Sequence, residues 1–283
     1  MWSRTFLKLA VGCILITVAV GGFLQCRPSR VDSVRNCYER AQNSTVLIVC
    51  PSGAQGSGVV VKRGERLFVW TAAHVVDNCD RVVIRSYVRH NGERVGNIDF
   101  AGRVLERNDS LDVALLWLIA PASYFDSAEF AGVEPSRVGE SVYHVGNYWG
   151  ADFDDSVSIG VISQIGVQPK YRDWPWQFPL DQTTAFVVYG SSGGGIFRHS
   201  DNKLIGIIVG GPAPGKADVN LFVPIRAIYS WATDVSILWA MYGTQSPDDK
   251  VLSLAALRAE VRRKSLLPTP PPPDEMQPIA IPE

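Results

Sequence analysis

The sequence has no excess of either charge and no long run of like charge. Its 27 lysines and arginines nearly balance its 28 aspartates and glutamates, which leaves a formal net charge of −1. Proteins that bind nucleic acid carry a basic patch or stripe, because neutralising phosphates dominates their affinity. The charge pattern therefore predicts no nucleic-acid partner.

Histidine and cysteine are scarce, with four and five residues in a chain of 283. They are dispersed along the chain and do not show the close spacing of metal ligands. We therefore expect no metal site, and no motif in the sequence predicts a cofactor.

Apolar residues are abundant by comparison and make up 46% of the chain. They occur in many short runs rich in valine and isoleucine, separated by Gly, Asn and Asp at intervals of about ten residues. Branched side chains suit a pleated surface, so the pattern predicts antiparallel β-structure. The chain is long enough to bury one large core or two small ones.

A serine among glycines is the most informative local motif. Residues 190–196 read Gly-Ser-Ser-Gly-Gly-Gly-Ile and lie between the apolar runs 186–188 and 204–209. A serine hydroxyl is a weak nucleophile unless a tight turn exposes it and gathers backbone N–H groups around it. Glycine permits such a turn, so Ser192 is a candidate nucleophile. The alternative is a plain loop, the commoner role of such clusters.

Two further residues precede this serine in a meaningful order. His74 follows the apolar run 67–70, and Asp112 stands at the start of the apolar run 113–118. The chain order His, Asp, Ser is that of chymotrypsin-type enzymes and differs from the orders in subtilisin and in α/β-hydrolases. The three residues therefore predict a catalytic triad.

Each member of this set has a competitor. Asp109 is the nearest alternative acid, although its neighbours are typical of a turn. Ser191 is adjacent to the candidate nucleophile. His90 and His199 lie in polar, turn-like stretches and are predicted to be solvated, whereas His144 alternates into a strand and is predicted to be a core histidine.

These segments resemble the trypsin-like serine peptidases, and in particular their HtrA-type branch. Residues 138–147 resemble the family's Gly-Asp-x-Val-x-x-Ile-Gly-Asn strand, 157–163 its Thr-x-Gly-Ile-Val-Ser segment, and 221–225 its Phe-Ala-Ile-Pro-Ile strand. The similarity extends over residues 43–235. It implies an all-β fold of two packed six-stranded antiparallel β-barrels.

The resemblance also implies a function. A member of this family is a serine endopeptidase that hydrolyses peptide bonds in protein or peptide substrates through an acyl-enzyme. Ser192 would be the nucleophile, His74 the general base, and Asp112 the group that orients the imidazole. The backbone N–H groups of Gly190 and Ser192 would form the oxyanion hole.

Substrate preference follows from the same resemblance. It implies a specificity pocket with Phe186 at its base and Val209, Gly210 and Gly211 along its wall. None of these residues is an acid, so a preference for Lys or Arg is not expected. We predict cleavage after small or medium apolar residues such as Val, Ala or Leu.

Two positions depart from the family pattern. Ser191 stands where the family has Asp or Asn, and Gly195 stands where it has Pro. A third consecutive glycine predicts a less rigid turn and a less preorganised oxyanion hole. The alternative function is therefore a catalytically silent protein of the same fold that acts as a binding module.

A disulfide is predicted between Cys50 and Cys79. Cys50 ends the first predicted strand and Cys79 follows His74 by five residues, so a bridge would brace the loop that carries the base. Disulfides persist in oxidising compartments, which agrees with export. The alternative is that Cys50 is merely a small apolar residue in a strand.

The N-terminal stretch predicts export. Basic residues precede the apolar stretch 9–24, which is typical of a signal peptide or a membrane anchor. The anchor would be the contact with the membrane, and the protein would be membrane-anchored, periplasmic or extracellular in a bacterium.

The expected domains are a signal peptide or anchor at 1–25, a connector with a short helix at 26–42, the protease domain at 43–245, and a helix with a proline-rich disordered tail at 246–283.

No PDZ domain is expected, because too few residues follow 245 to form one. The HtrA resemblance is also compatible with an oligomer.

Overall fold

The computed structural model describes residues 30–90, 93–151, 153–168, 178–210 and 220–266. The chain divides into a unit Met1–Tyr38 and a unit Glu39–Glu283. Helix α1 (Arg30–Asn43) leads into the second unit, which contains two closed β-barrels.

Six antiparallel strands form the first barrel, in the spatial order β1-β2-β3-β6-β5-β4. It closes because β1 pairs with both β2 and β4. The strands are β1 (Thr45–Val49), β2 (Gln55–Arg63), β3 (Arg66–Thr71), β4 (Arg81–His90), β5 (Glu93–Asn108) and β6 (Val113–Ile119).

The second barrel has the order β10-β11-β12-β9-β8-β7 and closes where β7 pairs with both β8 and β10. Its strands are β7 (Ser141–Tyr148), β8 (Phe153–Val167), β9 (Leu180–Thr183), β10 (Gly195–Arg198), β11 (Leu204–Gly210) and β12 (Asn220–Pro224). The predicted all-β fold of two six-stranded antiparallel barrels is thereby confirmed.

Strand β3 is buried on both faces, which explains its unbroken apolar run. Alternate side chains of a strand point to opposite faces, so one set fills the barrel and the other needs an external cover. Helix α2 (Ile225–Asp234) and the short helix α3 (Trp239–Tyr242) supply aromatic rings for it. Trp231 lies edge-on against Trp70 with ring centroids 6.1 Å apart, and Trp239 lies against Phe68 at 4.9 Å.

Helix α4 (Asp249–Leu266) is attached to the first barrel by ion pairs. Arg263 pairs with Asp80 just before β4, and Arg66 Nε lies 2.6 Å from Asp249 Oδ1. The guanidinium of Arg263 holds the pKa of Asp80 below its ordinary value by donating hydrogen bonds to the carboxylate.

The predicted signal peptide or anchor, the proline-rich segment 267–283 and Gly211 lie outside the described residues. Within the described ranges, no helix has both the length and the apolar character that a membrane crossing requires.

Candidate active site

His74 and Asp112 are held together by two hydrogen bonds. His74 lies in a short 3-10 helix, Ala73–Val76, that follows β3. Its Nδ1 is 2.7 Å from Asp112 Oδ2, and its backbone N–H donates to Asp112 Oδ1 at 2.9 Å. The Asp112 side chain is only 7% exposed, whereas that of His74 is 48% exposed. The carboxylate therefore fixes the imidazole from the protein side and leaves its other edge open to solvent.

The backbone at Asp112 has the left-handed conformation, with φ of +59°. Aspartate tolerates this region better than most residues. The competing acid, Asp109, is exposed, and its carboxylate accepts a hydrogen bond from Arg107 Nε at 2.7 Å. Of the two acids, Asp112 is the one that contacts His74.

The turn containing Ser192 packs on the segment that carries His74. Gly56 in β2 lies between them, since a Cβ there would strike the side chain of Val75 and lie 3.0 Å from the carbonyl oxygen of Ser192. Gly193 has φ of +86°, and a Cβ there would collide with Ser57 O and Thr71 Oγ1. Glycine is required at both positions because neighbouring atoms, the Val75 side chain at Gly56 and the Ser57 carbonyl and Thr71 hydroxyl at Gly193, occupy the space of a Cβ.

The N–H group of Gly190 is oriented by its preceding peptide. The carbonyl of Tyr189 accepts a hydrogen bond from Trp149 N–H at 2.7 Å. In a trans peptide the N–H points opposite to the carbonyl, so this bond turns the Gly190 N–H away from Trp149. Gly190 itself has φ of +89°, a conformation that favours glycine.

The N–H group of Ser192 is oriented in the same way. Ser191 O accepts a hydrogen bond from Gly194 N–H at 2.9 Å, which directs the Ser192 N–H to the opposite side of that peptide. Neither the Gly190 nor the Ser192 N–H has a hydrogen-bond acceptor among the described residues. Both N–H groups therefore have their hydrogen-bonding capacity unused within the described part of the chain.

The glycine run 193–195 is hydrogen-bonded along its length. Gly193 N–H donates to Ile208 O at 2.8 Å, and Ile208 N–H donates to Gly194 O at 2.9 Å. Gly195 begins β10, and its carbonyl accepts a hydrogen bond from His144 Nδ1 at 3.0 Å. Neighbouring strands thus hold the run that composition alone predicts to be less rigid.

His144 is buried, and it contacts the end of the glycine run through its hydrogen bond to Gly195 O. Its ring stacks on Tyr148, and burial lowers its pKa to about 4. The imidazole is therefore neutral at pH 7, with the proton on Nδ1 facing the carbonyl of Gly195. Of the other histidines, His90 is exposed at the end of β4, and His199 lies edge-on to Tyr143.

The candidate nucleophile and its neighbour differ in environment. Ser191 is fully buried, and its Oγ accepts a hydrogen bond from Val188 N–H at 3.1 Å. Ser192 is partly exposed. The Ser191 hydroxyl therefore makes a structural hydrogen bond, whereas the Ser192 side chain stays partly accessible to solvent.

An open cleft of about 520 Å³ adjoins His74 and Asp112. Val209, from the predicted pocket wall, is 3% exposed and lines this cleft. Gly210 follows it with φ of +119° and open space where a Cβ would lie. Phe186, the predicted base, is 58% exposed, with its ring edge-on to Tyr148 at 5.7 Å.

Cys50 and Cys79 form a disulfide with Cα atoms 6.1 Å apart. It links the end of β1 to the loop that follows the His74 helix. No group of three or more His, Cys, Asp or Glu with the geometry of a metal site occurs in the part of the chain that the structure describes.

Ser57 and Asn147 are part of the site, although motif analysis does not identify them. Ser57 Oγ donates to Gly190 O at 2.7 Å and accepts from Asn147 N–H at 2.8 Å. The two residues lie in sequence segments that resemble the family, but their contacts span 133 and 90 positions. Spacing alone gives no signal for contacts of that length.

Comparison with known proteins gives one family match. Residues 56–207, more than half of the chain, match the family model of the trypsin-like peptidase domain. The chain is also 27% identical to "Serine protease HtrA-like" of Staphylococcus aureus (strain USA300) over an alignment of 192 residues, with coverage of 64% of this chain and 23% of that protein. The corresponding protein of strain MRSA252 is 27% identical over 185 residues, with coverage of 61% and 22%. The chain thus spans about a quarter of the length of these relatives.

Many solved structures share the fold, and two of them serve as examples. The crystal structure of Deg5 aligns with a TM-score of 0.57 at 20% identity, over 75% of this chain and 98% of that one. The serine endoprotease from Yersinia pestis aligns with a TM-score of 0.55 at 19% identity, over 72% and 66%. At this identity the likeness shows the fold alone.

Proposed function

This chain belongs to the trypsin-like peptidase domain family, and from that premise we propose that it is a serine endopeptidase acting on protein substrates. His74, Asp112 and Ser192 would form its catalytic triad. The observation that carries the proposal is the 2.7 Å contact between His74 Nδ1 and the buried Asp112 carboxylate, joined by a second bond to the His74 backbone.

The contact determines the tautomer. A carboxylate can only accept, so Nδ1 carries the proton and Nε2 presents a lone pair. A neutral imidazole with a free Nε2 is a general base. As it takes up a proton, the nearby negative charge of Asp112 stabilises the imidazolium that forms.

The reaction then has two halves. Ser192 Oγ attacks the substrate carbonyl carbon while His74 Nε2 takes the hydroxyl proton, and a tetrahedral oxyanion forms. The C–N bond breaks, the leaving amine receives the proton from His74, and an ester with Ser192 remains. A water molecule, deprotonated by His74, attacks that ester; the bond from the acyl carbon to Ser192 Oγ breaks, His74 returns the proton to Oγ, and the carboxylic acid leaves.

The oxyanion would be bound by the N–H groups of Gly190 and Ser192. This assignment is supported by the hydrogen bonds to the carbonyls of Tyr189 and Ser191, which belong to the same peptides as the two N–H groups. The two donors therefore need little reorganisation when charge develops. Losing one such donor costs about 3 kcal/mol of transition-state stabilisation in comparable enzymes.

We propose cleavage after small or medium apolar residues, with Phe186, Val209, Gly210 and Gly211 forming the pocket. The support is chemical: none of the four carries an acid that would pair with Lys or Arg. Arginine-directed cleavage in a peptide library would contradict this preference.

We also propose that the protein is exported and remains associated with the membrane through residues 9–24. The apolar stretch behind basic residues is typical of an export signal or anchor, and the disulfide between Cys50 and Cys79 suits an oxidising compartment. Fractionation of cells that express the full chain tests this: recovery in the cytosolic fraction with both thiols reactive would contradict it.

Hydrolysis of fluorescently labelled casein tests the activity. Wild type should release peptides, Ser192→Ala should not, and the exposed Ser200→Ala should match wild type. Equal rates of casein hydrolysis by wild type and Ser192→Ala would refute the proposal. An inactive wild type that still binds casein would favour the binding-module alternative.

A further inference from the structure

Ser57 is a buried hydroxyl whose bonding capacity is completely used. It lies in β2 of the first barrel and is 0% exposed. Its Oγ donates to Gly190 O at 2.7 Å and accepts from Asn147 N–H at 2.8 Å and from Asn147 Nδ2 at 3.2 Å. A hydroxyl offers one donor and two acceptor sites, and all three are occupied here by groups of the second barrel.

The backbone of Ser57 makes two further contacts at the same place. Its N–H donates to Ser192 O at 2.7 Å, and its carbonyl accepts from Thr71 Oγ1 at 2.6 Å. One residue of the first barrel therefore holds the carbonyls of both Gly190 and Ser192. Thr71, at the end of β3, ties this residue to the segment that carries His74.

The Ser57 hydroxyl matters because residue 190 has no side chain that would restrict its backbone. Glycine rotates about φ and ψ more freely than any other residue, so the conformation at φ of +89° is not enforced by a side chain. Trp149 holds the peptide before Gly190 through the Tyr189 carbonyl, and Ser57 Oγ holds the peptide after it. Without Ser57 Oγ, the peptide after Gly190 keeps only the hydrogen bond from Ser191 N–H to Val188 O at 3.0 Å, and the Gly190 carbonyl loses its donor.

We propose that Ser57 is a positioning residue for the oxyanion turn: its hydroxyl fixes the Gly190 peptide so that the Gly190 and Ser192 N–H groups converge. The inference rests on the proposed peptidase function. Ser57 touches neither the His74 imidazole nor the Asp112 carboxylate among the hydrogen bonds of the described residues, so its contribution is separate from that of the base.

The test compares Ser57→Ala with Ser44→Ala. Ser44, the turn residue just before β1, is also buried, and its Oγ donates one hydrogen bond, to Ala41 O at 3.0 Å in helix α1. Both variants lose a buried hydroxyl, so both should unfold at a lower temperature. Only Ser57→Ala should lose kcat, by about 10- to 100-fold, with KM within about twofold of wild type.

Two further readouts separate positioning from general destabilisation. The pH profile of kcat/KM in Ser57→Ala should keep the wild-type midpoint, since the His74–Asp112 pair is intact. Amide hydrogen exchange in the segment 189–194 should be faster in Ser57→Ala than in Ser44→Ala. If Ser57→Ala fails to fold, Ser57→Cys keeps the shape with a weaker donor, and it should show a smaller fall in kcat.

The outcomes are distinct. An unchanged kcat with unchanged exchange in the segment 189–194, or an equal loss of kcat in Ser44→Ala, would overturn the role of Ser57. A wild type that neither cleaves casein nor reacts with a fluorophosphonate would overturn the proposed function instead. In that case the exchange comparison alone decides the inference, and equal exchange in the two variants overturns it.

Discussion

Replacing Asp112 by asparagine should abolish nearly all activity and leave the fold intact. In the structure the carboxylate accepts from His74 N–H at 2.9 Å through Oδ1 and faces His74 Nδ1 at 2.7 Å through Oδ2. An asparagine side chain has a single acceptor oxygen. The backbone N–H can only donate, so it takes that oxygen, and the amide NH2 is left facing Nδ1.

The imidazole must then change its tautomer. A donor opposite Nδ1 requires a lone pair there, so the proton moves to Nε2, and Nε2 can no longer accept a proton from Ser192. The negative charge that would stabilise the imidazolium is lost as well. We expect kcat to fall about 10⁴-fold, which corresponds to about 5 kcal/mol in activation free energy.

Initial rates at saturating fluorescent casein, with the unfolding temperature of each variant, measure this effect. Asp109→Asn is the control, because that exposed carboxylate contacts Arg107 instead of the imidazole. A fall of less than about tenfold in Asp112→Asn, or an equal fall in Asp109→Asn, would refute the tautomer argument.

Three other perturbations have defined outcomes. Gly193→Ala should reduce the rate of fluorophosphonate labelling at least about 100-fold, because its Cβ meets the carbonyl of Ser57, whereas Gly96→Ala, which has open space around it, should label normally. The pKa of His144 is about 4 in the fold against 6.5 ordinarily. Between these two pH values the unfolded chain binds a proton at this imidazole and the folded chain does not. Urea unfolding should therefore show stability present above pH 6.5 and falling by about 3 kcal/mol as the pH drops to 4, and His144→Leu should flatten that slope. A slope that survives in His144→Leu would contradict the assignment. Cys50→Ser opens a cross-link between residues 29 apart and should lower the free energy of unfolding by about 3–4 kcal/mol; equal stability to oxidised wild type would argue against the bridge.

The β-strands and the candidate residues follow from local patterns, whereas the arrangement of the strands in two barrels is what the family resemblance implies. Runs such as the one in β3 predict strands, and the motifs around His74, Asp112 and Ser192 are contiguous, so short windows contain them. The sequence also favours Asp112 over Asp109, because the neighbours of Asp109 are typical of a turn. The left-handed backbone at Asp112 and its contact with His74 are seen only in the structure.

The rigidity of the serine turn is the part that sequence cannot predict. Three glycines indicate freedom, but the restraints come from residues far along the chain. Ser57 contacts Gly190 across 133 positions, and His144 contacts Gly195 across 51. Such contacts exist only after both barrels have closed, so no local pattern reports them.

The central claim is that Ser192 is a nucleophile activated by His74. Intact-mass analysis and peptide mapping after treatment with a fluorophosphonate test it directly. We predict one adduct per chain, located on Ser192, and none in Ser192→Ala or His74→Ala. No adduct on wild type, an adduct on Ser191, or undiminished labelling of His74→Ala would contradict the claim.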